Sequence, residues 1–397
     1  MLASQHGFLR SDGGKGIRNY VLVLYLVECA RYVAEGIVRP FDDNKNVQVI
    51  GWSGCYSNPY GSRMLESLTC HVNVGGVLLV SLGCEGMDRY RLRKTIETSG
   101  RWVDVVTIQD EGGTRRSIEK GISLLGQGIR IVEETPQVEI GTDELVVGLQ
   151  CGGSDATSGI TANPAMGRVS DSIIEKGGTV LFAETGEMIG LESVLRKRGA
   201  TPDLVEGLSR SVRNAKTFFA KLGQASIAPG NADGELTTIE EKSMGAYLKS
   251  GSKPIDGIIP PNIKPPKPGL YLVDTVPEDD PVFGFSTIND NHDMVELISC
   301  GAHLVLFSTG RGSVSGSAVS PVIKICANPE TYARMADDMD INAGAILSHG
   351  ITLDQVRDEI LTEITNVIGG RMTASEALGH SEYTLTYKSG LSNQIVS

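Results

Sequence analysis

The chain has 397 residues, 40% of them hydrophobic and 21% charged, with a net charge of −12. This is the balance of a globular chain with a sizeable core; it excludes disorder, and no apolar run nears the roughly 20 residues of a transmembrane helix. No block of Lys and Arg offers the footprint of a nucleic-acid binder, so the expected partner is a small molecule.

The first residues, MLASQHGFLRSDGGKG, lack a basic region followed by an apolar one, and a cytoplasmic location is expected. Seven dispersed cysteines, an odd number, argue against a disulfide framework. The six histidines, at positions 6, 71, 292, 303, 349 and 380, show no metal-ligand spacing.

In chain order, RSDGGKGIRN comes first and holds Arg10, Asp12, Arg18 and Asn19 ahead of the first strand. Turn chemistry and a ligand role both fit it. The unbroken apolar runs YVLVLYLV (20–27), VQVIGW (47–52), GVLLVSLG (76–83) and VDVVTIQ (103–109) predict strands buried on both faces of a parallel sheet. Crossover helices are expected at Pro59 to Leu68 and Asp88 to Thr98, which makes residues 1–135 a first lobe.

A second lobe, 136–397, is expected from ELVVGLQ (144–150), GTVLFAE (178–184) and the runs that begin at 270, 302 and 321. The proline-rich GIIPPNIKPPKPG, near 253–269, reads as an inserted extended connection on the surface. An amphipathic helix from Thr352 to Ile368 closes the chain. The expected fold class is α/β: two Rossmann-like lobes with mainly parallel sheets and a C-terminal helix.

Cys55, Cys84 and Cys151 each stand at the carboxyl end of a predicted strand beside glycines. That edge is where open α/β sheets bind ligands, and glycine lets backbone approach a ligand closely. Simple packing, a metal or iron–sulfur site, and substrate-contacting thiols all satisfy this pattern.

The run APGNADGELTTIEEKS gathers Asn231, Thr237, Thr238, Glu241, Lys242 and Ser243. Thr238 and Glu241 have capping-box spacing, and a helix N-terminus with hydroxyls also suits a carboxylate ligand. LFSTGRGSVSG, from Leu306 to Gly316, runs from a strand into a Gly-x-Gly loop whose spacing departs from the dinucleotide fingerprint. Anion binding by its amides and Arg311 is the preferred reading.

Five ordered blocks carry a resemblance: GFLRSDGGKGIRNYVLVL, HVNVGGVLLVSLGCEG, LVVGLQCGGSDATSGITANPAMG, PGNADGELTTIEEKSMG, and FSTGRGS followed by PVIKICAN. Together they resemble the catalytic region of the altronate and galactarate dehydratase family, shared with the large subunit of sulfolactate sulfo-lyase. The resemblance implies an iron-dependent lyase that removes the C2 proton and the C3 substituent of a 2-hydroxy acid, giving a 2-oxo acid. It implies Fe2+ or an iron–sulfur cluster held by Cys55, Cys84 and Cys151, with Cys29 as a weaker fourth ligand.

It further implies that Ser154, Asp155, Thr161 and Asn163 surround the substrate, with Asp155 taking part in catalysis. Glu184 would be an acid or a supporting carboxylate, and Lys242 the base. Arg18, Asn19, Asn231, Thr237, Thr238 and Arg311 complete the expected substrate contacts.

Family members also have a small antifreeze-like domain, and because the first block starts at Gly7 a separate small subunit is the expected partner, with a homo-oligomer also allowed. CYSNPYG after the second cysteine, the long acidic YLVDTVPEDDPVFG and the ending GHSEYTLTYKSG depart from the sugar-acid enzymes. They leave a sulfonate, a hexarate, a hexonate and a smaller hydroxy acid as substrates. A nicotinamide oxidoreductase and a non-catalytic sugar-acid-binding subunit are the rival classes.

Overall fold

Every residue from Val74 to Ser81 is buried, as a strand covered on both faces requires. In the computed structural model, which describes residues 5–221, 229–276, 289–385, 387–388 and 395–397, this strand is central to the first of two parallel sheets. Residues 277–284 of YLVDTVPEDDPVFG, and 386, 389 and 390 of GHSEYTLTYKSG, fall outside the described residues.

Strand β1 (Gln5–Leu9) pairs antiparallel with β2 (Lys15–Gly16). Strands β3 (Tyr20–Tyr25), β4 (Val47–Gly51), β5 (Val74–Ser81) and β6 (Trp102–Thr107) form a parallel sheet in the order β4-β3-β5-β6. Strand β7 (Gln137–Ile140) then returns to pair antiparallel with β1.

The second sheet contains β8 (Val146–Cys151), β9 (Thr179–Phe182), β10 (Gly257–Ile259), β11 (Gly269–Val273), β12 (Leu304–Thr309), β13 (Val322–Cys326) and β14 (Ile341–Asn342). Its order is β10-β11-β9-β8-β12-β13-β14, with every pairing parallel. From β8 the chain first builds outward through β9 and later returns on the other side through β12. The carboxyl end of β8 is therefore a topological switch point, the place where such sheets open a crevice.

The fold class is α/β with mainly parallel sheets, and helix Leu353–Ile368 packs against the second lobe with Thr352 as its N-cap. The proline-rich connection is only half on the surface: Gly257–Ile259 is a buried strand, and Pro260 and Pro261 are buried too. Its apolar start had a sheet edge to pair with, which composition did not reveal. Among the described residues, no helix is long and apolar enough to cross a membrane.

Candidate active site

Cys151 ends β8 and is 1% exposed. Its neighbour in the sheet, β9, ends at Phe182, and two residues later Glu184 takes a left-handed backbone (φ 64°, ψ 48°). This conformation costs a non-glycine residue on the order of 1–2 kcal/mol and is often held at functional sites. A single 3₁₀ turn, Thr185–Met188, follows and carries Glu187 back to the same place, with its N–H donating to Glu184 O at 2.7 Å.

Two lysines close the group from another direction. Helix Ile239–Tyr247 supplies Lys242, and the 3₁₀ turn Leu248–Ser250 supplies Lys249. The turn is pressed against helix Ala162–Glu175, where Ser170 Oγ donates to Lys249 O at 2.9 Å. Gly167 permits that approach, since a Cβ there would lie 2.2 Å from Leu248 O.

Cys151 Sγ lies 3.0 Å from Glu187 Oε2 and 3.6 Å from both Glu184 carboxyl oxygens. Lys249 Nζ donates to Cys151 Sγ at 3.2 Å and to Glu184 Oε2 at 2.6 Å, while Lys242 pairs with Glu187. Burial, with Glu187 adding to it, pushes the Glu184 carboxyl up to about 8. Burial opposes charge on Glu187 as well, but Lys242 and Lys249 outweigh it and hold that group at about 2. Of the two carboxyls, Glu184 keeps the proton and Glu187 the charge.

Burial, then the two carboxylates, push the Cys151 thiol well up. Both lysines lose solvation by burial, yet their anionic partners raise them above the ordinary range, so both are ammonium ions. Lys242, expected as the base, carries its proton in this arrangement.

Cys151, Glu184 and Glu187 offer three ligand atoms within 4.8 Å of one another and could hold a metal ion. One thiol with two carboxylates suits a first-row divalent ion in donor type. The residues as placed already hold a cation, however, because Lys249 Nζ contacts both the thiol and Glu184. A metal and that ammonium would compete for the same donors.

Cys55 and Cys84 do not join Cys151 in this group. They are exposed, at the carboxyl edge of the other sheet, where Gly86 N–H donates to Cys55 O at 2.7 Å and ties their loops together. Cys29, also exposed, follows β3. The shared strand-end context was real, but it belonged to two different sheets.

Ser154, Asp155, Asn163 and Lys242 do come together, lining a cleft of 260 Å³. Within it Asp155 is a loop clasp, accepting from Thr157 N, Thr157 Oγ1 at 2.6 Å, Ser158 N and Asn328 Nδ2. Asn163 bridges elements, with Nδ2 donating to Gly245 O and Oδ1 accepting from Ser308 Oγ. Thr161 Oγ1 donates to the carbonyls of Thr157 and Ala327.

Thr238 caps helix Ile239–Tyr247 by accepting from Glu241 N at 3.1 Å, but the Glu241 carboxylate turns to Thr237 N and Oγ1, leaving the capping box half made. Asn231 Nδ2 donates to Ser154 O. The amides of Gly310 and Arg311 both donate to Gly153 O, and the Arg311 guanidinium meets Gly230 O and Asp233. The loop expected to cradle an anion spends these groups on its own packing.

Arg18 and Asn19 stand at the amino end of β3 and do not line the cleft. Arg18 forms a two-point pair with Glu376 at 2.7 and 2.8 Å, and Asn19 joins Arg10 to Val132 O. Glu187 and Lys249 escaped the sequence reading. The Glu-x-x-Glu spacing of Glu184 and Glu187 was the one legible signal, since a tight turn brings such residues to one side.

A buried carboxyl pair, a thiol and two lysines at a sheet's switch point give this α/β protein a site suited to acid–base chemistry. The family model for D-galactarate/altronate dehydratase, C-terminal, matches residues 142–390, and that for D-galactarate dehydratase/altronate hydrolase, second domain, matches residues 7–133. The chain belongs to this family and is a lyase.

It is 32% identical to altronate dehydratase of Escherichia coli strain K12, over 97% of this chain and 77% of that protein. It is 30% identical to the (2R)-sulfolactate sulfo-lyase subunit beta of Chromohalobacter salexigens, over 96% of each chain. Galactarate dehydratase (L-threo-forming) of E. coli is 31% identical over 78% of this chain and 59% of its own length.

Proposed function

We propose that the protein dehydrates a sugar acid, eliminating water from C2 and C3 of a 2-hydroxy acid and leaving a 3-deoxy-2-oxo acid. The observation that carries this reading is one buried carboxyl pair, Glu184 and Glu187, held between Lys242 and Lys249, with Glu184 pushed toward its protonated form and Glu187 toward its ionised one. Elimination needs a proton for the departing hydroxide and positive charge beside the enediolate left when the C2 proton is lost. Glu184 supplies the proton. Lys249 and Lys242 supply the charge, with Lys242 at the cleft wall to meet the substrate carboxylate.

Ser154 and Asn163 bound the same cleft and orient the substrate's hydroxyls. Fe2+ held by Cys151, Glu184 and Glu187 would supply, as a Lewis acid, the positive charge that Lys249 otherwise brings. Residues 1–135 and 136–397 are taken as the two folding units, in keeping with family models that meet between 133 and 142.

A second reading is favoured by the sulfo-lyase subunit, whose match covers 96% of both chains. The substrate would then be sulfolactate, C3 would release sulfite, and pyruvate would form. A companion small subunit of the antifreeze-like type belongs to this reading, because that relative is named as one subunit of its enzyme.

The test is anaerobic turnover of altronate, galactarate and sulfolactate, with 2-oxo acid and sulfite both measured, with and without Fe2+ and a co-expressed small subunit. Formation of 2-oxo acid from a sugar acid without sulfite is expected. Sulfite appearing with pyruvate selects the second reading, and ligand binding without product in every mixture makes the chain a binding subunit.

A further inference from the structure

The cleft beside Lys242 is built where two glycines meet. A Cβ on Gly159 would lie 3.0 Å from Gly245 Cα, and one on Gly245 would lie 3.2 Å from Gly159 Cα, so the loop after Cys151 and helix Ile239–Tyr247 touch backbone to backbone. Asn163 Nδ2, on helix Ala162–Glu175, holds the crossing by donating to Gly245 O at 3.0 Å. The chain neighbours of these glycines, Ile160 and Met244, are 58% and 43% exposed, and both line the cleft. Exposed apolar side chains scattered singly need no explanation, but these two border one cavity.

Among the described residues that line the cleft, Lys242 is the one cation, whereas Asp155 and Glu241 are two carboxylates. Ser154 and Ser158 add hydroxyls suited to a polyol. One substrate carboxylate can therefore pair with Lys242, but a second anion finds no counter-charge. It would face the carboxylate of Asp155 or Glu241, or lose water against Ile160 and Met244, and an anion buried without a partner is costly.

Resting on the elimination reading, we infer that Ile160 and Met244 determine specificity as an apolar lip on this cleft, and that the substrate is a polyhydroxy acid with a single carboxylate. Galactarate carries two carboxylates, and sulfolactate a carboxylate and a sulfonate, so each brings a second negative charge. Altronate brings one. Like charges set together cost enough to favour the singly charged acid by about 100-fold or more in kcat/KM.

The experiment measures kcat/KM for altronate, galactarate and sulfolactate with wild type, Met244→Arg, Ile160→Arg and Met244→Gln. Altronate is expected to lead by that factor. Each substitution to arginine supplies a cation at the lip and should raise the galactarate-to-altronate ratio about tenfold, the weight of one hydrogen bond to a charged group. Met244→Gln, polar but uncharged, should hardly move the ratio. A lip with only a structural role would lower kcat/KM for every acid alike and leave the ratio where it was. Matching thermal unfolding curves show that the variants, all at exposed positions, fold.

Galactarate or sulfolactate turned over by wild type as well as altronate, or a ratio unmoved by both arginine substitutions, overturns the assignment and leaves β-elimination standing. A wild-type protein that forms no 2-oxo acid from any of the three acids overturns both.

Discussion

Lys249 Nζ lies 2.6 Å from Glu184 Oε2, and the two side chains are 3% and 5% exposed. Removing one partner of a buried pair strands the other in a medium that solvates it poorly. Lys249→Met is therefore expected to destabilise the fold by about 3 kcal/mol, the low end for such losses because Glu184 already holds its proton and only Glu187 loses a counter-charge. Urea unfolding at neutral pH checks this, and a cost near zero would mean the pair is not shielded from water.

The same contact bears on the metal. An iron–sulfur cluster is held by thiolates, and the buried group contains one thiol, so it suits a single ion. With Lys249 as the competing cation, Lys249→Met should bind Zn2+ roughly tenfold or more tighter than wild type, at least about 1.4 kcal/mol, and Cys151→Ser should abolish the gain. Calorimetry reads both. Protein purified without oxygen should contain no acid-labile sulfide; sulfide recovered with iron would move the metal to Cys29, Cys55 and Cys84.

The buried strands of both sheets were legible because a two-faced strand leaves an unbroken apolar run, as Val74 to Ser81 does. Cys151 was legible for a related reason, being the residue where such a run meets glycine. Lys249 was not, because a lysine after a helix normally points to water, and only the packing of Gly167 on Leu248 turns it inward. That Cys55 and Cys84 belong to another sheet depends on strand order, which no local pattern encodes.

Arg18 separates a structural from a substrate-binding role. Besides Glu376, its guanidinium donates to the carbonyls of Ile17, Val367 and Arg371, and Tyr20 Oη donates to the same carboxylate. Every donor direction is taken by the protein. Arg18→Met should cost about 3–5 kcal/mol of stability, as for other broken buried pairs, with KM of the folded enzyme unchanged. A KM raised tenfold with stability intact would return Arg18 to the substrate.

The two carboxyls on either side of neutrality fix the pH response. On the elimination reading activity requires Glu184 protonated, so kcat/KM should fall through about 8 and lose that limb in Glu184→Gln. Stability carries the opposite mark of the same group. Glu184 titrates higher in the folded chain than its ordinary 4.5, so the fold holds an extra proton between that value and about 8. Its stabilising effect is complete below 4.5 and fades as the pH climbs to about 8, whereas that of Glu187 is complete above 4.5 and is lost as the pH falls toward about 2. Melting temperatures of wild type should therefore decline relative to Glu184→Gln between pH values of about 5 and 8, and parallel curves across that interval would show that Glu184 is not held protonated by its burial.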